Sequence, residues 1–194
     1  MAPASLILAS TSRYRQEVLR RLRLPFETLA PGVDESGPTQ EPPLERAERL
    51  ALAKARAVSL QRPEATVIGS DQVAVCKGQI LGKPGNPERC RAQLQWLSAS
   101  TATFYTAVAV ETVAGGSSIQ FVDTTRVYFR ALNGPEIERY VAAEQPWDCA
   151  GGFRAEALGI SLFARVVSED PTALVGLPLI ALAKALRQLG YPLP

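Results

Sequence analysis

The chain contains no histidine. That excludes histidine triads, imidazole general bases and every zinc site built on an imidazole, so acid–base and metal chemistry falls to Asp, Glu, Lys and Tyr. Cysteine is nearly as scarce. Cys76, Cys90 and Cys149 are isolated, odd in number and form no C-x-x-C pair. This predicts neither a structural zinc site nor a disulfide framework, and it suits a reducing cytoplasm. Long apolar runs are missing as well. The apolar stretch near the start is a few residues long and has no basic lead, so no signal peptide is expected, and no run reaches the length of a membrane span. Nor is there an excess of one charge: 21 Lys and Arg against 19 Asp and Glu leave a net +2. Bulk electrostatics therefore predicts no nucleic-acid and no membrane partner, and any phosphate must be held by a few local cations. The phosphate-binding patterns G-x-x-x-x-G-K-[ST] and G-x-G-x-x-G are both absent.

What is present suits an ordinary globular core: 194 residues, 46% of them apolar, which predicts one domain over 1–194. "SLILA" (5–9) reads as a buried strand, 12–22 as an amphipathic helix, "PFETLA" (25–30) as a second strand, and 44–60 as a helix containing Lys54. Residues 65–84 read as a strand, a break, a strand and a turn, with Lys77-Gly78 as a hairpin tip. Pro87 opens a helix to about Leu97. The β-rich runs 102–113 and 118–130 form a hairpin about Gly115-Gly116. Helix is expected over 135–144, strand over 159–167 and helix over 176–190. Strands alternating with helices around one antiparallel hairpin predict an α/β fold with a mixed sheet flanked by helices.

The polar residues worth weighing lie where strands give way to helices, because free backbone N–H groups and the helix dipole attract anions there. Ser10, Thr11, Ser12, Arg13 and Arg15 follow "LILA" at once. They read equally well as an N-cap with a solvated basic face or as a phosphate cradle. Asp71 follows Val67-Ile68-Gly69, read as a strand ending in glycine, where a carboxylate either starts a turn or holds a metal or a water. Lys83 stands between Gly82 and Pro84, in a turn that can present it to phosphate. Glu35 and Lys54 complete a histidine-free set of hydroxyls, cations and carboxylates. Such a set suits metal-assisted attack of water on a polyphosphate.

The segments "LASTSRYR", "DES", "LALAKA", "IGSDQVAV", "LGKP", "TFYTAVAV", "CAGGFRAEALGISLF" and "LVGLPLIALAKAL" stand in the order and spacing of the Maf family of nucleotide pyrophosphatases. The resemblance spans roughly residues 5 to 190. It implies a cytoplasmic hydrolase, dependent on a divalent metal (Mg, Mn or Co), that splits nucleoside triphosphates between the α and β phosphates. It also implies a fold like that of the inosine triphosphate pyrophosphatases and, in many members, a homodimer. Carried over by motif, Asp71 is the catalytic proton acceptor. Ser10, Ser12 and Arg15 lie in the phosphate loop, with Lys54 and Lys83 as further phosphate contacts. Glu35 completes the pocket, and Asp71 and Glu35 are the metal ligands. The chain departs from the family pattern at Ser12-Arg13-Tyr14-Arg15, which lacks the usual proline, and at Ala53, where relatives often have Glu.

Family branches differ at three positions. The branch acting on 7-methyl-GTP carries an aromatic, Gln and Glu there, and this chain has Tyr14, Gln72 and Glu156. The resemblance thus points to 7-methyl-GTP as substrate. The alternatives are a dTTP/UTP pyrophosphatase and a regulatory nucleotide-binding protein linked to septum formation. A cationic 7-methylguanine suits an aromatic face and an anionic acceptor pair.

Overall fold

A computed structural model of the chain describes residues 3–38 and 40–194. Its strands form one mixed sheet in the order β2-β1-β3-β5-β6-β7, with β4 paired to β3. The N-terminal part is β1 (Leu6–Leu8), α1 (Arg13–Arg20), β2 (Glu27–Thr28), α2 (Pro43–Ser59) and β3 (Thr66–Cys76). β1 pairs in parallel with both β2 and β3, as strands joined by helical crossovers do. The chain continues through β4 (Gln79–Leu81), α3 (Pro87–Leu97), β5 (Thr101–Thr112), β6 (Ser117–Phe129), α4 (Gly134–Glu144), β7 (Phe163–Val167) and α5 (Leu179–Gln188). Among the described residues no helix is long and apolar enough to cross a membrane.

Contacts group the chain into two compact units. The first comprises residues up to Gln72, Tyr105–Asp123 and Asp170–Pro194; the second comprises Val73–Phe104 and Thr124–Glu169. In the first unit β1 is buried on both faces, which is why "LILA" is uniformly apolar rather than alternating. Leu6 and Leu8 pack with Val18 and Leu19 of α1 and with Leu182 and Leu186 of α5. Ile7 and Ala9 face the other way, onto Ala55 and Val58 of α2. The second unit has an aromatic centre in which Phe104, Phe129, Phe153 and Phe163 meet edge to face, with ring centroids 5.1–5.6 Å apart.

Most expected elements are present, and two readings change. The expected break near Gly69 does not exist, because β3 runs unbroken for eleven residues and Asp71 sits within it. Gly69 is there for proximity: a Cβ at this position would collide with the Ala51 carbonyl oxygen and lie 2.5 Å from the Ala55 amide nitrogen of α2. A strand glycine can mark close backbone approach as readily as a break. The expected strand 159–167 is strand only from Phe163, since Leu158–Leu162 forms a 3-10 turn. The Lys77-Gly78 tip is as expected, with φ of 48° and 77°, values that suit a type I′ hairpin turn.

Candidate active site

Period-two alternation along β3 sorts its side chains between two neighbours. Gly69 and Asp71 face α2, while Ser70 and Gln72 face the segment before α5. On α2, Ala51, Lys54, Ala55 and Val58 recur at helical spacing and are all buried. Ala51 and Ala55 meet the bare backbone of Gly69, so Lys54 is brought against Asp71. Its Nζ donates to Asp71 Oδ1 at 2.7 Å, with side-chain exposures of 8% and 11%. The same Nζ pairs with Glu35 Oε1 at 2.6 Å. Two carboxylates thus converge on one ammonium. With Glu35 as its second acidic partner, Lys54 has two carboxylates despite the alanine at position 53.

The loop bearing Glu35 is tied to α2. Arg46 Nη2 donates to the Glu35 carbonyl at 3.1 Å, and Arg49 forks onto Glu41 at 2.6 and 2.8 Å. Neither arginine stands out in the sequence, because surface arginines on a helix carry no signal of what they fasten.

The Ser10–Arg15 stretch proves to be both a cap and an open helix start. Ser10, buried at the end of β1, accepts from the Ser12 amide at 3.1 Å. Ser12 is the N-cap of α1, and its Oγ accepts from the Arg15 amide at 3.4 Å. No acidic residue stands in the first turn, so the positive end of α1 remains available to an anion. Arg15 Nε donates to the Gly176 carbonyl at 3.1 Å. Its two Nη atoms make no hydrogen bond among the described residues. Burial lowers the Arg15 guanidinium from its ordinary value, and the charges of Asp71 and Glu35 act in the opposite direction.

Tyr14 is half-buried, with the Arg13 guanidinium 4.8 Å from its ring centroid. One face of that ring therefore already holds a cation. Gln72 is more constrained than the sequence suggests. Its Nε2 donates to Thr106 Oγ1 at 2.9 Å and to the carbonyls of Ala173 and Leu174 at 3.0 and 3.2 Å. The amide nitrogen is committed to the protein, so any influence of Gln72 on substrate passes through Oε1 or through the 173–174 backbone.

Lys83 and Glu156 belong to the second unit, and both are exposed. The Lys83 turn is held by its flanking glycines. The Gly82 carbonyl accepts from Gly151 N at 3.3 Å and Gln93 Nε2 at 3.2 Å, and Gly85 N donates to the Trp147 carbonyl at 3.0 Å. Here "CAGG" acquires its meaning: a Cβ on Gly152 would stand 2.9 Å from Cys90 Sγ. Burial pushes that thiol up to about 11, so it stays protonated. Glu156 sits in a turn whose base is fastened by Glu144, which accepts from Arg154 Nη1 at 2.9 Å and Leu158 N at 3.0 Å.

The structure therefore gathers Ser10, Ser12, Tyr14, Arg15, Glu35, Lys54, Asp71 and Gln72 in the first unit and places Lys83 and Glu156 in the second. Among the described residues, no group of three or more His, Cys, Asp or Glu side chains is arranged to hold a metal ion. Asp71 and Glu35 offer a pair of carboxylates, both on Lys54.

Comparisons with known proteins agree with this picture. A solved structure, that of the Staphylococcus aureus Ham1 protein, matches with a TM-score of 0.53 at 14% identity, covering 96% of this chain and all of that one. At that identity the likeness speaks for the fold, and it bears out the α/β class with a mixed sheet. Curated relatives are much more similar. A protein of Xanthomonas axonopodis pv. citri named 7-methyl-GTP pyrophosphatase is 54% identical over 189 residues, 97% of this chain and 98% of its own. One of Aromatoleum aromaticum with the same name is 51% identical over 194 residues, the whole of both chains. The family profile described as Maf-like protein matches residues 5–189. Over that length, and with the "LASTSRYR" and "IGSDQ" segments built into one polar site, the chain belongs to the Maf family.

Proposed function

We propose that the chain hydrolyses nucleoside triphosphates between the α and β phosphates, with 7-methyl-GTP as its preferred substrate. The observation that carries this reading is the convergence of Asp71 and Glu35 on Lys54 in the unit that also carries Arg15 and the unblocked start of α1. A polyphosphate needs several cationic contacts, and its hydrolysis needs a carboxylate that orients or deprotonates water. The first unit offers both. Arg15 and the first amides of α1 bind phosphate oxygens, Lys54 adds a buried positive charge, and Asp71 accepts the proton of the attacking water. Names carried by relatives more than half identical to the chain support the choice of substrate.

Asp71 and Glu35 also fit a divalent cation. Mg²⁺ is commonly held by one or two carboxylates, with phosphate oxygens and water completing its shell. Carboxylate oxygens are the hard ligands such a cation prefers, and a cation bound there would supply charge neutralisation and a more acidic water. Product analysis with Mg²⁺, Mn²⁺ or Co²⁺ tests the reaction: the expected products of 7-methyl-GTP are its monophosphate and pyrophosphate. Orthophosphate and a diphosphate as first products would refute it.

Base selection is part of the same proposal. For Tyr14 the role is stacking, worth about 0.5–2 kcal/mol for a cationic ring. For Glu156 it is to accept the guanine N1–H and amino hydrogens. Glu156→Gln is expected to lower kcat/KM for 7-methyl-GTP by about 10- to 100-fold, since an amide replaces a charge-assisted acceptor pair. Activity on dTTP or UTP should hold or rise. The ratio of the two kcat/KM values is the measurement, and an unchanged ratio would remove Glu156 from substrate recognition.

A further inference from the structure

The Gly176 carbonyl receives two donors. Arg15 Nε reaches it at 3.1 Å and Ser70 Oγ at 3.0 Å. A carbonyl oxygen has two lone pairs, so both are used. Ser70 is wholly buried within β3, one residue from Asp71, which makes its hydroxyl a fixed peg rather than a rotating surface donor. Gly176 has φ of 117°, and a Cβ there would stand 3.3 Å from Arg15 Nε and 3.4 Å from Arg15 Cγ. Only glycine gives the carbonyl this direction while leaving room for the arginine stem.

The surrounding segment is pinned with equal care. Thr106 Oγ1 and Gln72 Nε2 both donate to the Ala173 carbonyl at 3.0 Å. The Asp170 carboxylate accepts from Thr172 N at 2.8 Å and from Ile180 N at 2.6 Å, which closes the start of α5 with a protein carboxylate. Of the two helix starts, α1 lacks such an acid.

We propose that Ser70 and Gly176 are positioning residues for Arg15. By occupying Nε, the shared carbonyl leaves only the Nη1–Nη2 edge of the guanidinium for phosphate. Arginine can grip an oxyanion side-on through Nε and one Nη, or end-on through both Nη atoms. Here the side-on mode is closed. Ser70 holds the carbonyl in place, so the end-on edge is presented in one orientation before substrate arrives, which is the preorganisation that electrostatic catalysis requires. This inference rests on the reading of Arg15 as a phosphate ligand.

A double-mutant cycle on Ser70→Ala and Arg15→Ala tests it, with two readouts: kcat/KM for 7-methyl-GTP and the affinity for inorganic pyrophosphate. Ser70→Ala is expected to lower kcat/KM by about tenfold, the scale of one hydrogen bond. In the Arg15→Ala background the same change should alter either readout by less than about twofold, the limit of additive behaviour. Gly176→Ala, made separately, should reduce both readouts through Arg15 and likewise lose most of its effect when Arg15 is alanine. If Ser70→Ala costs the same factor in both backgrounds, or nothing with Arg15 present, Ser70 is a packing residue and the proposal fails. A wild-type protein that binds pyrophosphate but does not cleave 7-methyl-GTP would refute the assigned reaction, and the pyrophosphate cycle would still decide the role of Ser70.

Discussion

Asp71→Asn is expected to lower turnover of 7-methyl-GTP by about 100-fold or more, at every divalent metal tested, while the protein stays folded. The substitution keeps the shape of the side chain and removes the charge that accepts a proton and helps hold a cation. Survival of the fold follows from what Lys54 retains. Stripping one partner from a buried ion pair is costly when it leaves an uncompensated charge, but Lys54 Nζ still pairs with Glu35 at 2.6 Å. The asparagine oxygen can also still accept from Nζ. Steady-state kinetics and a thermal melt on the same sample separate the two effects. A variant retaining activity within about tenfold of wild type would transfer the role to Glu35, and Glu35→Gln would then show the larger loss.

Gly69→Ala is expected to destabilise the protein by about 2–4 kcal/mol, through overpacking that no rotamer change can relieve. The atoms a methyl group would meet are the Ala51 carbonyl oxygen, the Ala55 amide nitrogen at 2.5 Å and the Ala55 Cβ at 2.9 Å. Two of the three are helix backbone, so α2 as a whole must move away from β3. At about 2–4 °C per kcal/mol for a chain of this size, the melting temperature should fall by about 5–15 °C. Activity should fall with it, because the same displacement separates Lys54 from Asp71. Gly134→Ala is the control. Gly134 lies in the first turn of α4, where a methyl group would meet no atom within 4 Å beyond its own helix and chain neighbours. Pro135 follows and restricts this backbone, so the change should cost far less than Gly69→Ala without being stabilising. A Gly69→Ala protein that melts with wild type would mean that β3 and α2 are not in the contact that aligns the site.

The arrangement of charged groups explains why two kinds of residue differed in how readily they could be read. Lys54 was reached through the resemblance, as the lysine of "LALAKA"; that it interrupts the buried face of Ala51, Ala55 and Val58 is a finding of the fold. Asp71 and Arg15 were visible through their neighbours in "IGSDQ" and "LASTSRYR". The fastenings were not. Arg46 and Arg49, which tie down the Glu35 loop, look like any solvated helix cations. Ser70 looks like a small strand residue until its partner, 106 positions away in sequence, is known.

By itself the sequence determined the elements and the chemistry on offer. Apolar runs at period two and at helical spacing specified nearly all the strands and helices, since those patterns follow from where Cβ atoms point. The lack of histidine confined catalysis to carboxylates and cations, and the ordered motifs pointed to the family. Tertiary structure decided which partner each polar residue meets. Gly69 read as the end of a strand, yet it is the point where two backbones touch. Gln72 stood out only as a position at which family branches differ, and the fold shows its amide nitrogen spent on the protein's own carbonyls. In both cases the deciding partner lies on another element, and local sequence cannot encode a contact made by groups that only folding brings together.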